Sequence, residues 1–121
     1  MILVVDDEDG IRDVIAETLR EQGYRVLTAA DGVEAIALHS QHRHDIKVVL
    51  TDLMMPSMDG LTMTRILKRL DPAIKIIAST GMGSVRGLQD KTTELSELGV
   101  KIMLAKPYRA LEILTALTTL L

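Results

Sequence analysis

The chain has 121 residues, which is enough for one domain with a single hydrophobic core. A net charge of -3 gives no electrostatic case for binding nucleic acid, and no apolar stretch approaches the roughly 20 residues that a membrane-spanning helix needs. Cysteine is absent, which excludes disulfides and thiolate chemistry and fits a reducing compartment. A strand-like run begins at Met1, so we expect no signal peptide and a cytoplasmic protein.

Short apolar runs alternate with helical patterns along the chain, which is typical of repeated βαβ units and a parallel sheet. We predict strands over residues 2–5, 25–29, 46–51, 74–79 and 101–104. We predict helices over residues 10–22, 31–40, 59–70, 90–98 and 110–121. The second strand is the most polar, as an edge strand would be. We therefore expect one domain over residues 1–121.

Two of the predicted helices carry apolar residues at helical spacing. In the second helix, Val33, Ile36 and Ala37 are expected to point inward. The first helix has a wider apolar stripe. The sequence favours equally two alternatives, that part of this stripe stays exposed or that all of it belongs to the core. The stripe consists of Ile11, Val14, Ile15 and Leu19.

Three histidines follow where the second helix gives way to a loop. His39, His42 and His44 do not form a clean pair at i and i+4, the spacing that would place two imidazoles on one face of a helix. We therefore interpret them as a solvated surface cluster rather than a metal site. Further along, Gly81, Gly83 and the residues up to Gly87 predict a long, mobile loop before the fourth helix.

Four of the predicted strands are followed by polar side chains. Asp6 and Asp7 follow the first strand, Asp52 the third, Thr80 the fourth and Lys106 the fifth. Because parallel strands end at the same edge of a sheet, and ligands bind outside that edge, these side chains should converge. Acids, a hydroxyl and an amine in one place are suited to a divalent cation and a phosphoryl group.

The acids are candidates for a magnesium site, since Mg²⁺ prefers about six oxygen ligands and keeps several waters. We assign Asp7 and Asp52 as direct ligands and Asp6 to a coordinated water. Adjacent carboxylates directly after a buried strand repel each other unless a cation joins them. The alternative role for an acidic run, at the N-terminus of a helix, suits Glu8 and Asp9 better.

The remaining site residues suggest phosphoryl chemistry. Asp52 as a nucleophile would form an aspartyl phosphate, a known type of covalent intermediate. The ammonium group of Lys106 would neutralise phosphoryl charge, and Thr80 could hydrogen-bond to a phosphoryl oxygen with Gly81 leaving room beside it. A cis peptide bond before Pro107 would aim the lysine side chain back into the site.

With these residues in view, the chain resembles the receiver domain of two-component response regulators over its whole length. The motifs are ILVVDDE near the start, TDLMMPSMDG in the middle, the hydroxyl at Thr80 and AKPY near the end. The resemblance implies an α/β fold: a doubly wound, five-stranded parallel sheet in the order 2-1-3-4-5, of the flavodoxin-like receiver type, surrounded by five helices.

The resemblance also implies a role for each site residue. Asp52 matches the phosphoacceptor, Thr80 the switch hydroxyl and Lys106 the invariant lysine of the family. The implied function is to accept a phosphoryl group from the phosphohistidine of a histidine kinase or a histidine phosphotransfer protein. Such a domain switches conformation or relays the phosphoryl group. It assists its own phosphorylation and dephosphorylation but is not a turnover enzyme.

The metal ligands follow from the same resemblance. Asp7 matches the direct Mg²⁺ ligand and Asp6 the second acid. Met54, two residues after Asp52, matches the position whose backbone carbonyl binds the metal. Two features depart from the family pattern: Met103 stands where the family usually has Tyr or Phe, and the segment from Thr80 to Lys106 is a few residues longer than usual.

The long loop and the sequence GVKIMLAKPY resemble receivers at the C-terminus of hybrid histidine kinases, so this chain could be a fragment of a longer protein. Two alternative functions remain. A Mg²⁺-dependent phosphohydrolase would need a general acid near the nucleophile, but Leu53 and Met54 follow Asp52. A degenerate receiver that only binds partners would not need the complete set of site residues.

Overall fold

The computed structural model of the protein describes residues 1–55, 58–80, 88–106 and 108–121, with only the backbone of residues 88–92. Strands and helices alternate as predicted: β1 (Ile2–Val5), α1 (Asp9–Glu21), β2 (Val26–Ala29), α2 (Gly32–Gln41), β3 (Val48–Asp52), α3 (Gly60–Leu70), β4 (Lys75–Thr80), α4 (Leu88–Glu97), β5 (Ile102–Ala105) and α5 (Ala110–Leu120). The expected loop over residues 81–87 and the expected cis bond at Pro107 lie outside the described residues. Among the described helices, none is both long and apolar enough to cross a membrane.

All five strands are parallel and lie in the order β2-β1-β3-β4-β5, which confirms the order implied by the family resemblance. β2 lies at one edge, as its polarity predicted. The register places Asp52 opposite Ser79 and Thr80 opposite Ala105. The carboxyl ends of β1, β3, β4 and β5 therefore lie side by side at one edge of the sheet.

Helices cover both faces of the sheet. Successive side chains of a strand point to opposite faces, so each face packs its own set of residues against helices. One face packs against α2, α3 and α4, and we call it the α3 side. The other packs against α1 and α5, and we call it the α1 side. Core residues contributed by the helices on the α3 side are Ala35, Leu61, Met63, Leu67 and Leu95. Those on the α1 side are Ile15, Ala16, Leu19, Ile113, Ala116 and Leu117.

The start of α3 is held directly against the end of β3. Asp59 caps the helix by accepting a hydrogen bond from the backbone N–H of Thr62 at 2.8 Å. A Cβ at Gly60 would collide with the backbone of Asp52 and Leu53, so only glycine permits this close approach. This close contact between α3 and the end of β3 helps to fix the position of the backbone around Asp52.

The apolar stripe of α1 is only partly buried. Ile15 and Leu19 belong to the core, whereas Ile11 is 36% and Val14 65% exposed. Of the two alternatives that the sequence left open, the structure supports partial exposure. The exposed part lies near the N-terminus of α1, which follows β1 at the carboxyl edge of the sheet.

The inward face of α2 differs from the prediction. Val33 is 61% exposed and Ala37 is also exposed, while Ile36 is half-buried. Ala35 and His39 are the residues that point into the protein. The prediction is wrong for Val33 and Ala37, whereas Ile36 packs against the core from its half-buried position. A count of apolar side chains does not reveal the phase of a helix whose buried face carries Ala35 and His39.

The interpretation of the three histidines as a surface cluster is wrong for His39. This side chain is 1% exposed, and its Nε2 lies 3.1 Å from Oδ2 of Asp71 at the end of α3. His42 is half-buried and His44 is exposed. Within the described ranges, none of the three belongs to a group of side chains placed to bind a metal ion.

Candidate functional site

The predicted convergence at the carboxyl edge of the sheet is present. Asp6 follows β1, Asp52 ends β3, and Lys106 follows β5. The Lys106 ammonium lies 2.8 Å from Oδ2 of Asp6 and 3.0 Å from Oδ2 of Asp52. One cation thus bridges two carboxylates that are both almost fully buried, which satisfies charges that would otherwise be very costly to remove from water.

The second oxygen of each buried carboxylate is also occupied. Oδ1 of Asp6 accepts a hydrogen bond from the N–H of Glu8 at 3.0 Å, and Oδ1 of Asp52 accepts one from Met54 at 3.1 Å. These bonds fix the orientation of both carboxylates before any ligand binds. Preorganised groups do not have to reorganise during a reaction, which is the usual basis of electrostatic catalysis.

The third acid completes a cluster that could hold a cation. Carboxylate oxygens of Asp6, Asp7 and Asp52 all lie within 4.8 Å of one another. Asp7 is exposed, so a cation bound here would keep an open side toward solvent. Three hard oxygen donors and access to water match the ligands that Mg²⁺ prefers.

The two carboxylates control the protonation of Lys106. Burial disfavours the charged form, but the hydrogen bonds and negative charges of Asp6 and Asp52 outweigh it, so the pKa of Lys106 is raised. The lysine therefore stays positively charged at neutral pH. A permanent positive charge next to Asp52 is suited to neutralising a phosphoryl group attached there.

Thr80 contributes a buried hydroxyl group to the site. It ends β4, and its carbonyl accepts a hydrogen bond from the N–H of Lys106 at 2.8 Å, which ties the two strand ends together. Its Oγ1 is buried and has no hydrogen-bond partner among the described residues. Buried hydroxyls are normally satisfied, so this one is available to an oxygen atom of a ligand.

Met54 lies where the prediction requires, two residues after Asp52. It is 48% exposed, and its N–H is bonded to Asp52. The assignment of its backbone carbonyl to a metal ion stays a prediction. The side chain is large, apolar and partly exposed.

Two residues near the site were not predicted from the sequence. Arg12, on α1, donates from Nη1 to the carbonyl of Asp6 at 2.8 Å and so fixes the segment that carries the acids. Tyr108 follows Lys106 by two residues, and burial raises its pKa to about 12 despite the opposing charge of Lys106. Its identity as one of only two aromatic residues was a usable signal.

An apolar groove adjoins the site on the α1 side of the sheet. It has a volume of about 540 Å³. The residues that line it are Glu8, Gly10, Ile11, Val14, Ile15, Lys106 and Tyr108. The exposed half of the α1 stripe forms one wall, and the segment after β5 forms the other. Lys106 therefore belongs both to the carboxylate site and to this groove.

Comparisons with known proteins agree with the fold described above. The family model described as "Response regulator receiver domain" matches residues 2–118. Sporulation initiation phosphotransferase F of Bacillus subtilis is 36% identical over 107 residues, which cover 88% of this chain and 82% of that protein. The sensor kinase CckA of Brucella abortus is 39% identical over 80 residues, which are 66% of this chain but only 8% of the kinase.

Solved structures show the same architecture. A response regulator receiver domain protein from Clostridium thermocellum superposes with a TM-score of 0.89 and 32% sequence identity, covering 98% of this chain and 91% of that one. The five-stranded parallel sheet and its helices therefore form the same fold as this solved structure. The agreement extends over nearly the whole chain rather than over one motif.

Proposed function

This chain belongs to the response regulator receiver domain family, the phosphoacceptors of two-component signalling, and on that basis we propose that Asp52 is its phosphoacceptor. The observation that carries the proposal is the Lys106 ammonium, 3.0 Å from Asp52 and 2.8 Å from Asp6. The unsatisfied hydroxyl of Thr80, at the end of the adjacent strand, adds a donor for a phosphoryl oxygen.

Each of these groups has a defined part in phosphoryl transfer. A carboxylate oxygen of Asp52 forms a bond to phosphorus as the bond from phosphorus to the donor imidazole nitrogen breaks. The electron pair of that bond stays on the imidazole, which can then take a proton from solvent. Lys106 and Thr80 stabilise the charge on the phosphoryl oxygens, because the transition state of such transfers responds mainly to positioning and electrostatics.

Receiver domains bind Mg²⁺ at an acidic pocket, and the acidic cluster here fits that ion. We assign Asp7 and Asp52 as its direct carboxylate ligands, Asp6 as the acid that orients a coordinated water, and the carbonyl of Met54 as a further ligand. Bound Mg²⁺ would neutralise negative charge on the carboxylates and on an incoming phosphoryl group.

The proposed activity is that of a switch rather than of a turnover enzyme. Members of the family are signalling regulators, which favours this function over the phosphohydrolase alternative. We propose that the domain comprises residues 1–121 and that it assists its own phosphorylation through Lys106 and the acids. A cytoplasmic location is part of the same proposal, since histidine kinases phosphorylate their receivers there.

The partner must carry a phosphohistidine to Asp52. We propose that this partner is a histidine kinase or a histidine phosphotransfer protein. We also propose that it binds this chain at the groove beside the site. Continuity supports this choice: Ile11 and Val14 are exposed, and the groove they line also contains Lys106. A relative named as a phosphotransferase and another named as a sensor kinase fit the same class of partner.

Phosphorylation of the intact chain tests the assignment of Asp52. The protein is incubated with acetyl phosphate and Mg²⁺, and its intact mass is measured. We expect the mass of one phosphoryl group to be added to the unmodified chain and none to Asp52→Asn. Asp45→Asn is the matched control, because Asp45 is exposed and precedes β3 at the opposite edge of the sheet. Full modification of Asp52→Asn would refute the assignment.

A further inference from the structure

Arg12 lies over the loop that carries the acids. Although it belongs to the first turn of α1, its side chain is only 14% exposed. Nη1 donates to the carbonyl of Asp6 at 2.8 Å, and Nη2 donates to the carboxylate of Asp9 at 2.6 Å. Because the guanidinium is planar and its donors have a fixed arrangement, these two bonds hold it in one orientation.

The carbonyl that Arg12 bonds belongs to the peptide group between Asp6 and Asp7. A peptide group is planar and includes the Cα atoms of both residues, so a hydrogen bond to its oxygen restrains the direction in which each side chain leaves the backbone. The backbone N–H of Asp6 donates to the carbonyl of Ala29 at 3.2 Å. The peptide groups on both sides of Asp6 are therefore held by hydrogen bonds.

The two neighbouring acids depend on this restraint to different degrees. The carboxylate of Asp6 is already fixed by the N–H of Glu8 and the ammonium of Lys106. Asp7 is exposed, and its carboxylate makes no hydrogen bond or ion pair within the described part of the chain. The position of the Asp7 carboxylate is therefore set by the backbone that carries it, and Arg12 bonds directly to that backbone.

The positive charge of Arg12 acts in the opposite direction. A guanidinium beside a cation site repels the cation. The carboxylate of Asp9 lies against this guanidinium but is 82% exposed, so solvent screens much of its compensating charge. On charge alone, removal of Arg12 should strengthen the binding of Mg²⁺. Loss of the restraint on the peptide between Asp6 and Asp7 should weaken it, so the two effects differ in sign.

We propose that Arg12 is a positioning residue for Mg²⁺: it holds the peptide between Asp6 and Asp7 in the orientation that directs the Asp7 carboxylate to the cation. This positioning outweighs the repulsion between Arg12 and the cation. The inference rests on the proposed function, in which Asp7 is a direct ligand. Groups that orient metal ligands through hydrogen bonds typically change metal affinity by about 10- to 100-fold when they are removed.

Mg²⁺ titrations followed in amide NMR spectra test the proposal. In Arg12→Met, an unbranched side chain is kept but the charge and both bonds are lost, and we expect the dissociation constant for Mg²⁺ to rise about tenfold. Arg12→Lys keeps the charge and a single donor group, so its affinity should lie between those of Arg12→Met and the unmodified chain. Charge alone predicts a different order, in which Arg12→Lys equals the unmodified chain and Arg12→Met binds more tightly.

Arg20 on the same helix supplies the matched control. Its Nη2 donates to the carbonyl of Val26 at 3.0 Å, at the start of β2 and so at the opposite edge of the sheet. Arg20→Met therefore loses an arginine bond to a backbone carbonyl away from the acids, and its dissociation constant for Mg²⁺ should stay unchanged. Nitrogen relaxation without metal gives a second measurement: the amide of Asp7 should be more mobile in Arg12→Met than in Arg20→Met or the unmodified chain.

The outcomes separate this inference from the proposed function. If Mg²⁺ binds the unmodified chain but not Asp7→Asn, and Arg12→Met binds it equally or more tightly, positioning by Arg12 is overturned and the metal assignment stands. Equal weakening in Arg12→Met and Arg20→Met, or an equally rigid Asp7 amide in Arg12→Met, would also overturn the positioning. Failure of the unmodified chain to bind Mg²⁺ would overturn the metal assignment and the inference with it.

Discussion

His39 on α2 and Asp71 at the end of α3 are joined by a hydrogen bond of 3.1 Å, although 32 residues separate them in the sequence. The carboxylate can only accept, so Nε2 of His39 donates, and Nδ1 is buried with no hydrogen-bond partner among the residues that the structure describes. The bond therefore stabilises the packing of α2 on α3, and it depends on a single acceptor.

Removal of that acceptor should destabilise the fold. In Asp71→Ala, the buried Nε2–H of His39 loses its partner, and we expect the free energy of unfolding to fall by about 1–3 kcal/mol. Urea unfolding measures this fall in free energy, and the slope of the free energy against urea concentration should stay unchanged. His44→Ala is the control, because His44 is exposed and should change stability by less than about 0.5 kcal/mol. Equal stabilities of Asp71→Ala and the unmodified chain would show that the bond is unimportant.

The sequence predicted the meeting of Asp6, Asp52 and Lys106 at the sheet edge better than it predicted contacts between helices. Asp6, Asp52 and Lys106 could be assigned because the parallel sheet brings strand ends together whatever the details of packing. The burial of His39 depends on the rotational phase of α2 and on a partner in another helix, and neither is encoded in local spacing. The packing of Tyr108 against the core on the α1 side likewise depends on contacts between elements far apart in the sequence, which only the folded chain provides.

Magnesium should stabilise the fold through the acidic cluster. A ligand that binds only the native state at about ten times its dissociation constant adds roughly 1.4 kcal/mol, which is a melting shift of a few degrees. Because Asp7 is a proposed ligand in a cluster of like charges, Asp7→Asn should melt higher than the unmodified chain without metal and should not respond to Mg²⁺. Asp45→Asn should keep the full response, and a Mg²⁺ shift retained by Asp7→Asn would exclude Asp7 as a ligand.

Lys106 should be important for stability as well as for chemistry. In Lys106→Met, the buried carboxylates of Asp6 and Asp52 lose their shared cation, and we expect a loss of about 2–4 kcal/mol in the absence of metal. Mg²⁺ should recover part of this loss, so the metal-induced melting shift should be larger than in the unmodified chain. Lys47→Met, at an exposed position before β3, controls for the loss of a charge. A smaller Mg²⁺ shift in Lys106→Met would contradict this account.

Tyr108 should titrate well above an ordinary tyrosine. Burial is the main cause of its raised pKa of about 12, against an ordinary value of 10.0. The folded chain then holds this proton more tightly than the unfolded chain, so the contribution to stability is complete below pH 10 and is lost as the pH rises toward about 12. Absorbance titration of Tyr24→Phe, in which Tyr108 is the only tyrosine, measures the pKa directly. An ordinary value would show that the phenol is in contact with bulk water.

Met54 should prolong the life of the phosphorylated state. Hydrolysis needs a water in line behind phosphorus, and from the family resemblance we expect Met54, two residues after the proposed phosphoacceptor, to flank that path. Met54 is bulky and apolar, and its thioether is too weak an acceptor to orient a water. Met82, which we expect to flank the path from the other side, lies outside the described residues.

An amide at this position should speed the loss of the phosphoryl group. In Met54→Asn, a hydrogen-bonding side chain can hold the attacking water, and we expect hydrolysis to be about tenfold faster, which corresponds to ~1.4 kcal/mol in the barrier. The decay of radiolabelled protein at fixed Mg²⁺ gives the rate. Met54→Leu is the matched control, because it keeps an apolar side chain and should decay at the original rate. If Met54→Asn and Met54→Leu decay equally fast, the side chain at this position neither screens the phosphoryl group nor positions its water.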